Sequence, residues 1–207
     1  MSDGRAPCEV AAVVLAAGAS TRMGAPKALL EWGGRTFLRR VIDLAAAAGC
    51  APIVAVAGAI RLPRAELDGA IEVVNETWSE GQLSSLQVGL RAIAGAPAAL
   101  VLTVDRPHVR PSTIAALLAG HAADPMAIWQ PAHGGRRGHP ILYPGDLLPA
   151  IVTLPAALGP RSWLGSPAIA ARRREVVVDD PAVLDNIDTP ADLARLRREE
   201  SHVSGLG

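Results

Sequence analysis

Short runs of apolar, β-branched residues alternate along the chain with longer stretches in which apolar positions recur every three or four residues. The short runs predict seven strands, at residues 11–15, 52–57, 71–74, 98–104, 127–130, 141–143 and 175–178. The longer stretches predict five helices, at residues 36–48, 84–94, 111–120, 145–151 and 190–199. Gly49 is a typical terminator for the first helix, and Thr189 with Pro190 is a typical start for the last.

Strands that are apolar throughout and separated by helices predict a mainly parallel sheet covered on both faces, which is a three-layer α/β/α fold. Ligands of such sheets bind beyond the carboxyl ends of the strands. We expect a single domain over residues 1–200. Residues 133–165 are rich in Gly and Pro and are interpreted as an insertion or lid at the sheet edge, and residues 201–207 as a disordered tail.

Composition narrows the functional classes. The chain has 207 residues, 50% of them hydrophobic, and a formal net charge of +0, which gives no reason to expect nucleic acid or an acidic membrane surface as a partner. No apolar run reaches membrane-spanning length, and the amino-terminal residues do not resemble a secretion signal. Cys8 and Cys50 have no metal-like spacing and are interpreted as reduced thiols, so a cytoplasmic location is expected.

The chain places its smallest residues and two cations directly after the first strand, in VVLAAGASTRMGAPKALL at residues 13–30. A dinucleotide-binding turn needs Gly-x-Gly-x-x-Gly, but five other residues separate Gly18 from Gly24. A Walker-type loop needs Gly-Lys followed by a hydroxyl residue, but two residues separate Gly24 from Lys27 and Ala28 follows. Both familiar phosphate-binding motifs are therefore excluded.

A nucleoside triphosphate cradle of another kind fits the same residues. A flat base can lie against the nearly bare backbone of Ala16, Ala17 and Gly18, and Gly24 permits a turn that aims amides at phosphate oxygens. Arg22 and Lys27 supply positive charge for the phosphates. The alternative is a flexible loop with two solvated cations, and because Lys27 follows a loop we expect its side chain to be exposed.

Residues 15–27, Leu-Ala-Ala-Gly-x-Ser-x-Arg-Met-Gly-x-Pro-Lys, resemble the signature of the MobA/MocA-like nucleotidyltransferases. These enzymes attach a nucleotide to molybdopterin, and their wider relatives activate sugar phosphates. The resemblance implies a Rossmann-like fold and a nucleotide site that includes Leu15 and Ser20. NETWSEGQLSSLQVGL, at residues 75–90, is similar to the family's second nucleotide-contacting segment and adds Asn75, Ser84 and Ser85; alternatively, Ser84 only caps its helix.

Asp105 ends a strongly apolar strand, which places a carboxylate at the ligand-binding edge of the sheet. The resemblance implies that Asp105 binds the catalytic Mg²⁺. Magnesium is usually held by one or two carboxylates and substrate phosphates, and Asp188, in a closing motif at residues 184–193, is matched to the second ligand. The alternative interpretation is that Asp105 caps a turn and Asp188 is a helix-capping acid, with Asp185 holding the loop.

The acceptor side of the site is assigned to GGRRGHPILY, at residues 134–143. By resemblance, Arg136 and Arg137 bind the acceptor's phosphate, while His139 reaches the acceptor or holds the loop. The chain departs from the family at Val104 and at Arg106, a cation that would favour another acceptor or contact pyrophosphate.

These patterns predict a Mg²⁺-dependent nucleotidyltransferase that moves CMP from CTP to a phosphorylated acceptor, molybdopterin, and releases pyrophosphate. CTP is favoured because the Ala-Ala-Gly and Ser-Ser segments resemble the cytidylyl-type members. Asp105, through its metal, and Arg22 and Lys27 neutralise the growing charge. One alternative is a sugar- or alcohol-phosphate nucleotidyltransferase. Another is a non-catalytic maturation factor that hands a cofactor to a client molybdoenzyme.

Overall fold

The computed structural model describes residues 10–155 and 158–204. The strands are β1 (Val10–Leu15), β2 (Glu31–Trp32), β3 (Arg35–Thr36), β4 (Ile53–Ala57), β5 (Ile71–Val74), β6 (Ala98–Thr103), β7 (Ile128–His133), β8 (Arg136–Arg137), β9 (Ile141–Pro144) and β10 (Arg173–Val177). The helices are α1 (Phe37–Ala47), α2 (Gln82–Ala92), α3 (Pro111–Ala123), α4 (Leu148–Val152), α5 (Pro160–Leu164), α6 (Pro167–Ala170) and α7 (Pro190–Ser204). Cys8 and the predictions for the first nine residues lie outside the described residues.

One twisted sheet organises the molecule, in the order β10-β7-β9-β6-β1-β4-β5, with β8 paired to β7. The pairs β1–β4, β1–β6, β4–β5 and β7–β10 are parallel, whereas β9 runs antiparallel to both of its neighbours. Each of the seven predicted strands is present, displaced by no more than a few residues. The mainly parallel α/β/α fold is confirmed.

Two apolar layers cover the two faces of the sheet, because successive side chains of a strand point to opposite sides. Ala12 and Val14 of β1 belong to the cluster beneath α1 and α3, and Ala11 and Val13 to the cluster beneath α2 and α4. Gly89 lets α2 approach closely, since a Cβ there would lie 2.4 Å from Cγ1 of Val13. This packing fixes the ends of β1 and of α2, on which the site is built.

The expectation of an insertion or lid over residues 133–165 is wrong for residues 141–144. Residues 141–144 form β9, which lies between β6 and β7 inside the sheet and is buried at all four positions. A four-residue buried strand flanked by Gly and Pro has too short an apolar run to reveal its place in the sheet. β9 is therefore part of the sheet and does not cover its edge.

The carboxyl-terminal helix is longer than predicted. α7 continues through Ser204, so residues 201–204 are helical rather than part of a disordered tail, and residues 205–207 lie outside the described part of the chain. Among residues 10–155 and 158–204, no helix combines the length and the apolar character that crossing a bilayer requires.

Candidate active site

A cleft of about 390 Å³ opens at the carboxyl ends of β1 and β6. Its walls come from four separate segments of the chain: the loop after β1, the start of α2 with the turn before it, the end of β6, and the loop before α7. The lining residues are Leu15, Ala16, Ala17, Gly18, Ser20, Thr21, Arg22, Lys27, Ala28, Trp78, Ser79, Gly81, Gln82, Ser85, Thr103, Val104, Asp105 and Asp188. Its position is the one that the sheet topology predicts for a ligand.

The start of the loop after β1 is anchored by its backbone. The Ala16 amide donates to the Val56 carbonyl at 3.0 Å, and the Ala17 carbonyl accepts from the Ala59 amide at 3.0 Å. Gly58 allows this approach, because a Cβ there would lie 2.7 Å from the Ala17 carbonyl oxygen. The small residues therefore form a fixed floor to the cleft rather than a flexible connection.

The turn that follows closes on itself. The Lys27 amide donates to Ser20 Oγ at 3.0 Å, and Ser20 adopts a left-handed conformation with a φ of 55°. Gly24 has a φ of 69°, a conformation that glycine adopts without steric strain. Gly24 does not line the cleft, so its part in the site is to shape the turn.

Lys27 and Arg22 converge on Asp188 across the cleft. Lys27 Nζ donates to Asp188 Oδ1, and Arg22 Nη2 lies 3.6 Å from Asp188 Oδ2. The Lys27 side chain is only 13% exposed, so the expectation of an exposed lysine is wrong, whereas the Arg22 side chain is 71% exposed. Lys27 is also the only lysine in the sequence.

Asp188 is not the acid that caps α7. Asp192 fills that role: its Oδ2 accepts from the amides of Asp188 and Thr189, while Thr189 Oγ1 accepts from the Asp192 amide. The pKa of Asp192 is lowered, and the largest cause is the hydrogen bond that the Thr189 hydroxyl donates to it. Because the cap is complete without it, the Asp188 carboxylate is left facing the cations.

Asp105 and Asp188 are brought together by a backbone bond between their loops. The Ile187 amide donates to the Asp105 carbonyl at 2.8 Å. Asp185 stands outside the cleft and holds this loop, as its carboxylate accepts from Arg195 Nη2 at 2.8 Å and meets His108 Nε2 at 3.1 Å. Both Asp105 and Asp188 line the cleft, whereas Asp185 does not.

The donor set fits a metal ion that is completed by its substrate. Asp105 and Asp188 supply carboxylate oxygens to the same cleft. The described residues contain no group of three or more His, Cys, Asp or Glu side chains that would cage a metal by themselves. Two carboxylates in a cleft that also holds cations match a divalent metal ion that keeps waters and takes phosphate oxygens as ligands.

The start of α2 and the turn before it form the second wall of the cleft, and Asn75 holds this wall in place by hydrogen bonds. It is 1% exposed; its Nδ2 donates to Ser84 Oγ at 2.8 Å and Ser85 Oγ at 3.0 Å, and its Oδ1 accepts from the Thr77 amide at 3.0 Å. Ser85 lines the cleft, but Asn75 and Ser84 do not. The helix begins at Gln82 rather than at Ser84, whose hydroxyl donates to the Gly81 carbonyl and does not cap the helix.

The residues predicted for the acceptor lie elsewhere. Arg136 and Arg137 are exposed on β8, and Arg137 Nε lies 3.0 Å from Glu175 Oε2. His139 borders a separate small cavity beside Arg106, where burial and then the Arg106 charge lower its pKa to about 4. None of Arg136, Arg137 and His139 lines the cleft, so the structure does not bring these three residues to the predicted nucleotide residues.

Eight lining residues are absent from the predicted set: Thr21, Ala28, Trp78, Ser79, Gly81, Gln82, Thr103 and Val104. Trp78 and Gln82 lie in the segment 75–90, and the signal for Gln82 is the glycine before it, after which α2 begins two residues earlier than the apolar spacing predicts. Thr103 is the residue with which β6 ends, two positions before Asp105. A polar residue at the end of an apolar strand was its available signal.

Comparison with known proteins agrees with this geometry. Residues 12–175 match the family described as MobA-like NTP transferase domain, which confirms the resemblance seen at residues 15–27. The chain is similar to nicotine blue oxidoreductase of Paenarthrobacter nicotinovorans, at 34% identity over 95% of this chain and 100% of the relative. It is also similar to a probable molybdenum cofactor guanylyltransferase of Deinococcus radiodurans, at 35% identity over 92% of this chain and 96% of the relative.

A solved structure shares the fold over nearly its whole length. Rv0371c of Mycobacterium tuberculosis H37Rv superposes with a TM-score of 0.77 at 29% identity, covering 91% of this chain and 98% of that chain. The same protein in complex with manganese gives a TM-score of 0.70 at 26% identity, with the same coverage.

Proposed function

We propose that this chain, which belongs to the family of MobA-like NTP transferases, transfers a nucleoside monophosphate from a nucleoside triphosphate to a phosphorylated acceptor. One observation carries the proposal. A single cleft holds a floor of small residues, two cations and two carboxylates, contributed by segments far apart in the chain. The small residues can bind a base, the cations a triphosphate and the carboxylates a divalent metal ion.

The floor and the second wall bind the nucleoside. Ala16, Ala17 and Gly18 have almost no side chain, so a base or ribose can lie against their backbone. Ser85 and Gln82, at the start of α2, add a hydroxyl and an amide that hydrogen-bond a base or ribose. Asn75 acts indirectly, by fixing the position of Ser85.

Lys27 and Arg22 bind the phosphates. An oxygen of the acceptor phosphate attacks the α-phosphorus, the bond between the α-phosphorus and the bridging oxygen breaks, and pyrophosphate leaves with that bond's electron pair. Lys27 is largely buried and paired with Asp188 in the cleft, so its charge lies at the site before the reaction and stabilises the charge that develops on the leaving oxygens. The acceptor phosphate is already an anion, so the reaction needs no strong general base.

We propose Mg²⁺ as the metal, held by Asp105 and Asp188. When bound, it supplies Lewis-acid stabilisation of phosphoryl oxygens. Lys27 and Arg22 both pair with Asp188, and a divalent cation held by Asp188 would leave the two side chains free to face the phosphates. The manganese complex of Rv0371c supports a divalent site in this fold.

For the substrates we propose CTP and molybdopterin. The Leu-Ala-Ala-Gly and Ser-Ser segments favour the cytidylyl type, whereas the name of the Deinococcus relative favours GTP, which is therefore the competing donor. A sugar or alcohol phosphate is the competing acceptor. The segment assigned to the acceptor's phosphate, Arg136 and Arg137, remains a prediction that acceptor binding to an Arg137→Gln protein tests.

A second candidate function comes from the relative named nicotine blue oxidoreductase, whose similarity extends over its whole length. An oxidoreductase needs an electron carrier, and the loop after β1 lacks the dinucleotide spacing at Gly18 and Gly24. Dye reduction with NADH or NADPH, together with a thermal shift by either dinucleotide, would favour this candidate over nucleotidyl transfer.

The decisive experiment measures pyrophosphate release from each of CTP, GTP, UTP, ATP and dTTP, with Mg²⁺ and molybdopterin. We expect release with CTP, and a loss of at least about 100-fold in Asp105→Asn and Asp188→Asn. Asp146→Asn is the matched control, since Asp146 is an exposed carboxylate paired with Arg172 outside the cleft. No release with any nucleotide, or full cofactor delivery to a molybdoenzyme by Asp105→Asn, would contradict the proposal and favour a non-catalytic maturation factor.

A further inference from the structure

The Asp105 carboxylate is held by two residues other than the cleft cations Lys27 and Arg22. Thr103 is 8% exposed at the end of β6, and its hydroxyl donates to Asp105 Oδ1 at 2.5 Å. Arg106 Nη1 lies 3.1 Å from the same hydroxyl oxygen and 3.4 Å from Asp105 Oδ1. The three side chains therefore form one connected network.

The chemistry of the donors fixes the direction of these bonds. A guanidinium has donors and no acceptor, so Arg106 must donate to the Thr103 hydroxyl oxygen. The hydroxyl has a single hydrogen, which is then left for Asp105. As a result, Oδ1 of Asp105 is engaged by Thr103, and the carboxylate is held in one orientation.

Arg106 is itself confined. Its side chain is 12% exposed and borders the small cavity that His139 and Val109 also line, away from the cleft. Because it does not line the cleft, the structure gives no support to a contact with pyrophosphate. The shorter of its two contacts with the site is the one to Thr103, at 3.1 Å, and the direct contact with Asp105 Oδ1 is longer, at 3.4 Å.

We propose that Thr103 and Arg106 are positioning residues for the divalent metal ion, holding Asp105 by Oδ1 so that Oδ2 is presented to the cation. This inference rests on the proposed function, in which Asp105 is a metal ligand. Side chains behind a ligand typically change metal affinity or activity by 10- to 100-fold when they are removed.

The first test is Mn²⁺ binding, followed by electron paramagnetic resonance with Mn²⁺ alone. We expect Thr103→Val to raise the Mn²⁺ Kd by about ten-fold, and Thr103→Ser, which restores the hydroxyl, to return it to within about two-fold of the wild-type Kd. Thr113→Val is the matched control: Thr113 is also buried, at 1% exposed, and its hydroxyl donates to Asp180 at 2.6 Å, but it does not line the cleft. An unchanged Kd in Thr103→Val, or an equal rise in Thr113→Val, would overturn the proposal.

The second test asks whether Arg106 acts through Thr103. Arg106→Met keeps much of the side chain's bulk and should also raise the Mn²⁺ Kd several-fold. In the Thr103→Val background the same change should add less than about two-fold, because the shorter contact through the Thr103 hydroxyl is already gone and only the 3.4 Å contact with Asp105 Oδ1 remains. If the two substitutions raise the Mn²⁺ Kd independently, so that their effects multiply, Arg106 does not act through Thr103 and its charge has a separate role.

Asp105→Asn separates this inference from the proposed function. If Asp105→Asn binds Mn²⁺ as tightly as the wild type, the metal site and the positioning role both fail. If Asp105→Asn loses binding while Thr103→Val keeps the wild-type Kd, only the positioning role fails. Thermal denaturation of each variant establishes that it is folded before the Kd is interpreted.

Discussion

Replacing Lys27 by Met tests whether the buried cation serves the chemistry or the fold. The change removes one bond to Asp188 and leaves Arg22 Nη2 at 3.6 Å from the same carboxylate. Exposed ion pairs contribute about 0–1 kcal/mol, and hydrogen bonds to charged groups about 1.5–3 kcal/mol. With side chains 13% and 29% exposed, this pair falls between the two, at about 1–2 kcal/mol. For a chain of this size, we expect Tm to fall by roughly 3–6 °C.

The effect on turnover should be much larger. Loss of one fixed group that stabilises the transition state lowers kcat by about 10²–10³, equivalent to about 2.7–4 kcal/mol. Urea denaturation gives the free energy of unfolding, and pyrophosphate release gives kcat for the same preparation. Arg39→Met is the matched control, because Arg39 is 18% exposed and pairs with Asp43 on α1, outside the cleft. It should lose stability and keep kcat.

Chemical modification gives a second reading of the same residue. Since Lys27 is the only lysine, an amine-reactive reagent has just this side chain and the chain's terminal amine to modify. Mg²⁺ with the nucleotide substrate should protect Lys27 from the reagent. Wild-type kcat in Lys27→Met, an equal loss of kcat in Arg39→Met, or unprotected labelling would refute the assignment.

Three further predictions follow from the geometry. Burial holds the pKa of His139 at about 4, so the folded state favours the neutral ring, and its stabilisation is complete above the unfolded pKa near 6.5 and is lost as pH falls towards 4. From pH 7 to pH 5 this amounts to about 2 kcal/mol, which urea denaturation of His139→Gln should no longer show; an unchanged pH dependence would contradict it. Asn75→Ala should cost about 2–4 kcal/mol in unfolding free energy and weaken nucleotide binding, since four hydrogen bonds of a buried amide are lost; stability near that of the wild type would speak against this role. Gly18→Ala should leave Tm within about 3 °C of the wild type, because the added Cβ would meet nothing within 4 Å, and should raise the nucleotide Kd, because the base is proposed to lie against that backbone. Gly58→Ala should instead lower Tm, because its Cβ would clash with Ala17. A wild-type nucleotide Kd in Gly18→Ala would show that the base does not lie against these small residues.

The sequence determined the elements and the local part of the site. Apolar periodicity is a property of neighbouring residues, so it located the seven predicted strands and the five predicted helices without knowledge of what they pack against. The same holds for the loop after β1, where Leu15 to Lys27 are close in sequence and shape one turn. Asp105 was also predictable, because the carboxyl end of an apolar strand lies at the ligand-binding edge.

Only the tertiary structure decided which distant segments meet. Asp188 lies 161 residues from Lys27, and its role depends on the bond between the Ile187 amide and the Asp105 carbonyl, which no local pattern encodes. For the same reason the sequence placed β9 in a lid rather than between β6 and β7, and expected Lys27 to be exposed. Local spacing reports which face of an element is apolar, but strand order and the burial of a single cation are set by long-range packing, and these define the cleft.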